Sequence, residues 1–207
     1  MSSSRKLISI ERNEKKTFIL ILTNIVKMIY NRGLIKDYNK HLDDLLNKYN
    51  DDEKVFEINT DKDYKNILIK FVKGKLTTIR KIPNIDNFFV KGKNNKKIVV
   101  VKDINQKAYK QFMEYKDTEV FWEKNLKIDI IQADIVPKHE LLTKEEEEEF
   151  YKTTGIKKKD MSKIYVTDAI SRYYNAKVGN VFKITRMSIT SGYGVHYRLV
   201  ITSSLFN

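Results

Sequence analysis

The residues best able to do chemistry in this sequence are its carboxylates, lysines and histidines, and their spacing argues against the usual uses. A common metal-dependent nuclease core sets one acid near a strand that carries Asp or Glu two residues before a Lys. The acids hold a divalent cation, and the cation activates water. Lys70 and Lys102 lie on strand-like runs, but the residues two before them are Leu68 and Val100. Glu57, Asp61 and Asp63 are nearby acids without that partner pattern. No two of His41, His139 and His196 have metal-ligand spacing. There is no cysteine, which removes thiolate chemistry and disulfides. "GYG" at 192–194 is followed by Val195, not by the Lys-Ser/Thr of a phosphate loop, and no dinucleotide glycine motif or nucleophile elbow occurs. No catalytic, cofactor-binding or metal-binding residue is therefore expected, and no cofactor of the chain's own.

Binding chemistry is better represented. The 207 residues carry a net charge of +13, with a pI near 9.6. A chain this basic should meet something acidic, and nucleic acid is the commonest candidate. Residues 1–133 hold 28 basic and 18 acidic groups, and residues 134–207 hold 12 and 9, so most of the excess lies in the first part. The longest apolar run, "FILIL" at 18–22, is far shorter than the ~20 residues of a spanning helix or the core of a signal peptide. An intracellular protein is expected.

The elements that must position these groups follow from periodicity. "TFILILTNIVKMIYNRG" predicts a helix with Phe18, Leu22, Ile25 and Ile29 on one face, stopped at Gly33. Ile19, Ile21 and Val26 make it apolar almost all round, as in a sandwiched helix. "DYNKHLDDLLNKY" predicts a second helix with a stripe of Tyr38, Leu42, Leu45, Leu46 and Tyr49. Lys40, Asp44 and Lys48 pair on its wet side, and His41 sits at the boundary. The period then changes. "NILIKFV" (66–72) and "KIVVVK" (97–102) read as buried strands. "LTTIRKIPNIDNFF" between them reads as a helix broken near Pro83. "INQKAYKQFMEY" predicts a helix with Ala108, Phe112 and Tyr115 inward, extended by "EVFWEKNL". "KIDII" (127–131) predicts a further strand. A boundary near Pro137 divides an N-terminal domain, 1–133, from a C-terminal domain, 134–207. The expected fold class is mixed α+β, with a small sheet flanked by helices and then a small α+β domain.

In the second part "TKEE" (143–146) is a capping box, which makes "EEEEE" (145–149) the first turns of a helix at its positive end, stopped at Gly155. "DAISRYYNAKVGN" predicts a short helix capped by Asp168, with Ile170, Tyr173 and Tyr174 inward. Asn175 suits a left-handed backbone and Gly179 closes the next turn. "VFKITRM" and "VHYRLVI" predict an antiparallel pair of strands. A domain with so thin a core and so many Tyr and Arg residues suggests a partner surface.

This cassette resembles the C-terminal domain of RNA polymerase subunit 5, the small subunit shared by the eukaryotic nuclear polymerases and present in archaea as the C-terminal part alone. The family pattern runs close to Asp-Pro-x-Ala-Arg-Tyr-Tyr-Gly-x-Lys-x-Gly-x-Val, then x-Lys-Ile-x-Arg-Pro-Ser-x-Thr-Ala-Gly, then Tyr-Arg-Leu-Val. Asp168, Arg172, Tyr173, Tyr174, Lys177, Gly179, Val181, Lys183, Ile184, Arg186, Ser188, Thr190, Gly192, Tyr197, Arg198, Leu199 and Val200 fall in the same register without a gap. "IVPKHELLTKEE" (135–146) is similar to the family's opening Val-Pro-x-His-x-x-Leu-Thr-x-Glu-Glu. Ser162, Ala169 and Met187 stand where the family has proline, and Asn175 where it has glycine. "IVKMIYNRGLI" is similar to the family's first helix, with Asn31, Arg32, Gly33 and Leu34 in the Asp-Arg-Gly-Tyr slot.

The resemblance implies a non-catalytic subunit of a multisubunit DNA-directed RNA polymerase, whose nucleotidyl transfer and Mg²⁺ belong to the two large subunits. It implies that the C-terminal domain docks on the largest subunit through Asp168, Arg172, Tyr173, Tyr174, Lys177, Gly179, Arg186, Gly192, Tyr197 and Arg198. It also implies that the N-terminal domain forms part of the jaw over downstream duplex. The family's DNA-approaching loop is Thr-Pro-Ser-Ala after a buried strand. Its equivalent here is "NQKA" (105–108), where the motif is not kept. Lys102, Asn105, Lys107 and Lys110 are the expected DNA-facing residues, acting on phosphates. Neither membrane binding nor a homo-oligomer is implied. A free-standing basic nucleic-acid-binding protein is the alternative, and a metal-dependent nuclease a remote one. The Lys/Asn/Ile skew and the altered signature suggest an AT-rich, fast-diverging genome: a large DNA virus, with the protein in cytoplasmic factories or virions, or a protist, with the protein in the nucleus.

Overall fold

The computed structural model describes residues 3–47, 55–61, 66–133, 135–188 and 192–203, and of residues 3–13, Lys91 and Ser188 only the backbone. Lys48, Tyr49, Asp63, Asp134 and Thr190 lie outside the described residues. The chain forms two compact units, Met1–Ile128 and Asp129–Asn207. The fold is mixed α and β in both.

The first unit is built on a sheet of order β1-β2-β3-β4, from Val55–Ile58, Ile67–Leu76, Lys96–Ile104 and Thr118–Trp122. β1 runs antiparallel to β2, while β2, β3 and β4 are mutually parallel. Parallel strands are joined by crossovers that cover the sheet, so they must be apolar on both faces. That is why "IVVV" is a continuous run and "ILIKFV" is broken by Lys70 alone. One face, with Leu68, Val72, Val99 and Val101, packs against the 3-10 turn Ile79–Lys81, α3 (Ile85–Lys91) and α4 (Gln106–Met113), which supply Ile79, Phe88, Ala108 and Phe112. Pro83 separates the 3-10 turn from α3, as its missing N–H requires.

The other face takes α1 (Ser3–Asn31). Phe18 lies 5.7 Å from the Phe56 ring and 4.6 Å from Phe71. Ile21, Leu22, Ile25, Val26, Met28 and Ile29 are all buried, because α1 lies between the sheet, α2 (Tyr38–Asn47) and α5 (Glu123–Leu126). Burial of each such side chain contributes on the order of 2 kcal/mol. Asn24, in that apolar stripe, donates from Nδ2 to the Leu126 carbonyl at 2.8 Å. In α2 only Leu45 is fully buried, and the rest of the described stripe is more exposed.

Two polar side chains lock this unit. Arg32 follows the last turn of α1, and its two terminal nitrogens donate to both carboxylate oxygens of Glu119 on β4, each at 2.8 Å. Gly33 then turns the chain at φ 66°. Lys97, 3% exposed, carries its ammonium to the Gly92 and Asn95 carbonyls at 2.7 and 2.8 Å, holding the turn after α3.

Two sequence expectations are corrected. "EVFWEKNL" does not extend α4: the helix ends at Met113, and residues 118–122 become β4, the edge strand parallel to β3. The strand is rich in β-branched and aromatic residues, Thr118, Val120, Phe121 and Trp122, and Asp117 takes φ 56° to start it. Residues 127–131 form a turn, not a strand. Ile130 and Ile131 pack singly on the second unit's core.

The second unit has a sheet of order β5-β7-β8-β6, from Lys138–Leu141, Val181–Ser188, Gly192–Ile201 and Ser162–Tyr165. β7 and β8 pair antiparallel as expected, and β6 adds parallel to β8. One face of the sheet packs Phe182, Ile184 and Val200 against α7 (Ala169–Tyr173) and its exit turn, through Ile170, Tyr174 and Ala176. The opposite face packs Val181 and Leu199 against Phe150 of α6 (Lys144–Thr154). α6 begins with the complete capping box: Glu146 N–H donates to Thr143 Oγ1 at 3.2 Å, and Thr143 N–H to Glu146 Oε2 at 2.8 Å. Gly155 ends it at φ 65°.

Two stability changes follow. Arg32→Ala leaves the Glu119 carboxylate without its fork in a mostly buried place and should cost about 3 kcal/mol, read as a lower urea midpoint for the first unit. Ser171, fully buried on α7, has an Oγ with no hydrogen-bond partner. Ser171→Ala should stabilise the second unit by about 1 kcal/mol, and a fall in its melting temperature would contradict this.

Candidate functional site

The ten residues expected to dock lie on α7, on the turn that leaves it, and on β7 and β8. Asp168, Arg172, Tyr173, Tyr174 and Lys177 lie on α7 and the turn that leaves it. Asp168 caps the helix, its carboxylate accepting from Ile170 N–H at 2.9 Å. Asn175 takes φ 53° in the family's glycine position, and its amide oxygen accepts from Lys177 Nζ at 2.6 Å. Gly179, at φ 99°, starts the turn into β7 and donates its N–H to the Val200 carbonyl at 2.9 Å. Arg186 and Arg198 are exposed on the sheet face that α7 covers, since Arg198 pairs with Phe182 and Arg186 lies two residue pairs beyond Ile184 on the same face.

Tyr173 and Tyr197 are placed differently. Tyr173 is 8% exposed and meets Tyr174 edge-on at 5.2 Å. Tyr197 lies on the opposite sheet face, stacked on Phe150 at 4.2 Å. Gly192 opens β8 at φ 74°. Asp168, Lys177, Arg186 and Arg198 are the charged members with exposed side chains.

Several contributors have no clear mark in the sequence. Glu147, from the middle of the acidic run, accepts from Val181 N–H at 3.0 Å and so clamps α6 onto the start of β7. A carboxylate spaced for a dipole and one spaced for a clamp look alike in a run of five. His139 donates from Nδ1 to the Pro137 carbonyl at 2.7 Å and meets Phe182 edge-on, which makes it part of the packing. Met187, Tyr193 and Val195 are exposed by 81%, 71% and 48% on one face of the hairpin. Their alternation with Arg186, Gly194 and His196 is the one signal the sequence offers for them.

In the first unit Lys102, Lys107 and Lys110 are exposed. Asn105 is the N-cap of α4, its amide oxygen accepting from Ala108 N–H at 2.8 Å, so this side chain is already engaged. Both β2 and β3 deliver basic segments at their carboxyl ends. Lys73 and Lys75 flank Gly74 at a β-bulge in β2, and Arg80 and Lys81 follow on the 3-10 turn, all exposed. Gln111 of α4 ties that turn in place, its Oε1 accepting from Ile79 N–H and Thr78 Oγ1 at 3.2 Å each. The lysines of α4 therefore belong to a wider basic edge than the sequence alone marked. Asp103, 3.7 Å from Lys75, is an acid within it.

Two titratable groups near α7 are shifted, for different reasons. The Lys138 ammonium, hydrogen-bonded to Glu140, holds that carboxyl below its ordinary range. Burial first, and then the Glu140 charge, push the Tyr174 phenol above its ordinary value. A phenol whose folded pKa lies above its unfolded pKa, about 10, stabilises the fold fully below that pH and loses its contribution as pH rises through the folded value. Tyr174→Phe should therefore flatten the alkaline fall in melting temperature above about pH 10, measured against the unchanged chain. An equal fall in both would show that Tyr174 is not responsible.

With this geometry in place, comparison with known proteins is specific. The family described as "RNA polymerase Rpb5, C-terminal domain" matches residues 128–200. The chain is 51% identical over 67 residues to a protein of Archaeoglobus fulgidus named DNA-directed RNA polymerase subunit Rpo5, covering 32% of this chain and 88% of that one. It is 28% identical to DNA-directed RNA polymerase subunit 5 of Acanthamoeba polyphaga mimivirus, across 97% of this chain and all of the relative. It is 35% identical over 113 residues to a Dictyostelium discoideum protein named as a subunit of DNA-directed RNA polymerases I, II and III, covering 52% and 57% of the two chains. The archaeal match, over 67 residues, is shorter than the unit Asp129–Asn207 that carries the cassette, and the viral match takes in both units. By these matches and by the residues that carry them, the chain belongs to the RNA polymerase subunit 5 family.

Proposed function

We propose that this chain is a non-catalytic subunit of a multisubunit DNA-directed RNA polymerase, with nucleotidyl transfer and Mg²⁺ residing in the large subunits. The observation that carries the reading is the viral relative, because the likeness to a polymerase subunit of that name extends over both units. The archaeal relatives support assembly as the second unit's role, since the likeness covers most of their own length. Its exposed Asp168, Lys177, Arg186 and Arg198 would meet the largest subunit. The comparisons lend no support to a free-standing nucleic-acid-binding protein or to a nuclease.

The first unit would guide downstream duplex by charge. Lys102, Lys107 and Lys110, with Arg80 and Lys81 beside them, suit phosphates, which offer charge without sequence. The viral relative favours a viral polymerase over a nuclear one, and with it a virus factory or virion as the setting. Among the described residues, no helix is long and apolar enough to cross a membrane.

Two experiments test these statements. Tagged chain, expressed at native level, should bring down the large polymerase subunits; their absence would overturn the assignment. Lys102→Glu, Lys107→Glu and Lys110→Glu together should leave assembly intact but shorten the downstream footprint. They should also lower the salt slope of polymerase–DNA binding by about 0.9 for each phosphate that is no longer neutralised. An unchanged footprint and slope would remove these lysines from the DNA path.

A further inference from the structure

The β7–β8 hairpin runs beyond its neighbours. β6 pairs with β8 only at Arg198 to Ile201, and β5 pairs with β7 only at Phe182 to Thr185. Among the described residues, then, no strand lies beside the outer flank of β8 from Gly192 to Tyr197. The ladder shows which backbone groups face that flank. Val200 bonds toward β7, donating to the Asn180 carbonyl and accepting from Gly179 N–H, whereas the Ile201 carbonyl accepts from Val166 N–H on the β6 side. These directions alternate along a strand. Tyr193 and Val195 therefore aim both N–H and C=O outward, and Gly194 and His196 aim theirs at β7.

Side-chain chemistry converges on the same flank. Tyr193 and Val195, with Met187 across from Tyr193, form the exposed apolar face of the hairpin tip. On the reverse face Arg186 stands across from Gly194. Among the described residues nothing requires a glycine there. Its φ is not left-handed, and a Cβ would meet only His196 Nε2, at an ordinary 3.6 Å. Close approach of another backbone or group is one of the reasons a strand holds a glycine. Here it leaves Arg186 a bare path across β8 to the open flank. β6, β7 and β8 carry Lys163, Lys183, Arg186 and Arg198 and no carboxylate. A second copy of this edge would bring like charges together, which opposes self-pairing.

We propose that the open flank of β8, at Tyr193 and Val195, takes an added strand from a larger polymerase subunit. That segment alternates apolar residues, which pack on Met187, Tyr193 and Val195, with acidic residues, which pair with Arg186. The partner's identity rests on the polymerase assignment above; the edge and its chemistry do not.

Hydrogen–deuterium exchange on the full chain, free and within purified polymerase, tests the idea at residues 192–197. In the free chain the amides of Gly194 and His196 should exchange slowly and those of Tyr193 and Val195 quickly. In the polymerase the latter two should slow by about tenfold or more as they gain partners. If the polymerase contains the chain but these amides exchange as fast as in the free protein, the added strand is wrong and the assignment stands. If purified polymerase lacks the chain, both fall. Concentration-dependent protection of the same amides in the free chain would mean a second copy occupies the edge, and would also overturn the proposal. Gly194→Val supplies a second arm. It should leave the free chain's melting temperature at or above its original value, because Val suits a strand. It should reduce incorporation into polymerase by about tenfold by closing the approach; undiminished incorporation would overturn the proposal.

Discussion

Pairing of β7 with β8 is the interaction from which the rest of the second unit takes its place. Each strand carries apolar residues on both faces near its inner end: Val181 and Phe182 on one, Leu199 and Val200 on the other. Two hydrophobic layers must therefore be covered, and the chain has few elements to cover them. α7 and its exit turn close one face and α6 the other. The positions that allow this are short-range: Asp168 starts α7, Asn175 reverses the chain after it, and Glu147 pins α6 to the first residue of β7. Beyond Thr185 and Val195 the same two strands run out of cover, and their character changes to exposed apolar residues facing arginine and glycine.

The first unit meets the same demand at larger scale. Its parallel strands cannot leave either face wet, so α1 is apolar nearly all round while α3, α4 and the 3-10 turn share the opposite side. Arg32 joins the end of α1 to the edge strand β4 through a two-pronged contact with Glu119. Arginine suits this place because its planar fork matches both carboxylate oxygens, which a lysine ammonium does not. Lys73, Lys75, Arg80, Lys81 and Lys102 lie at the rim, at the carboxyl ends of β2 and β3, where the crossovers begin and water is available to solvate them.

On the proposed reading, the function of this chain is a matter of surfaces that larger partners complete. Much of the Tyr- and Arg-rich cassette works inside the domain: Tyr173 is buried, and Asn175, Gly179 and Gly192 turn the backbone. On that reading docking falls to what is left exposed, the charged residues around α7 and the overhanging hairpin. A residue such as Gly194, for which the described residues give no internal reason, is a better candidate for an external contact than a tyrosine whose ring the core already holds.

Local chemistry was enough for the sequence to determine α6 with its capping box, α7 with its Asp168 cap, the left-handed corners at Gly33, Asn175 and Gly155, and the antiparallel pairing of β7 and β8. Each depends on residues a few positions apart, and the ungapped run of family residues added the assignment. Tertiary structure decided what depends on distant partners. It made 118–122 an edge strand because β3 offered a free parallel side, and left 127–131 without a strand to join. It brought Glu119 to Arg32 and Glu147 to Val181, pairings separated by 87 and 34 residues that no local pattern encodes. It also decided which flank of β8 remains open, since an edge is defined only by the strands that stop short of it.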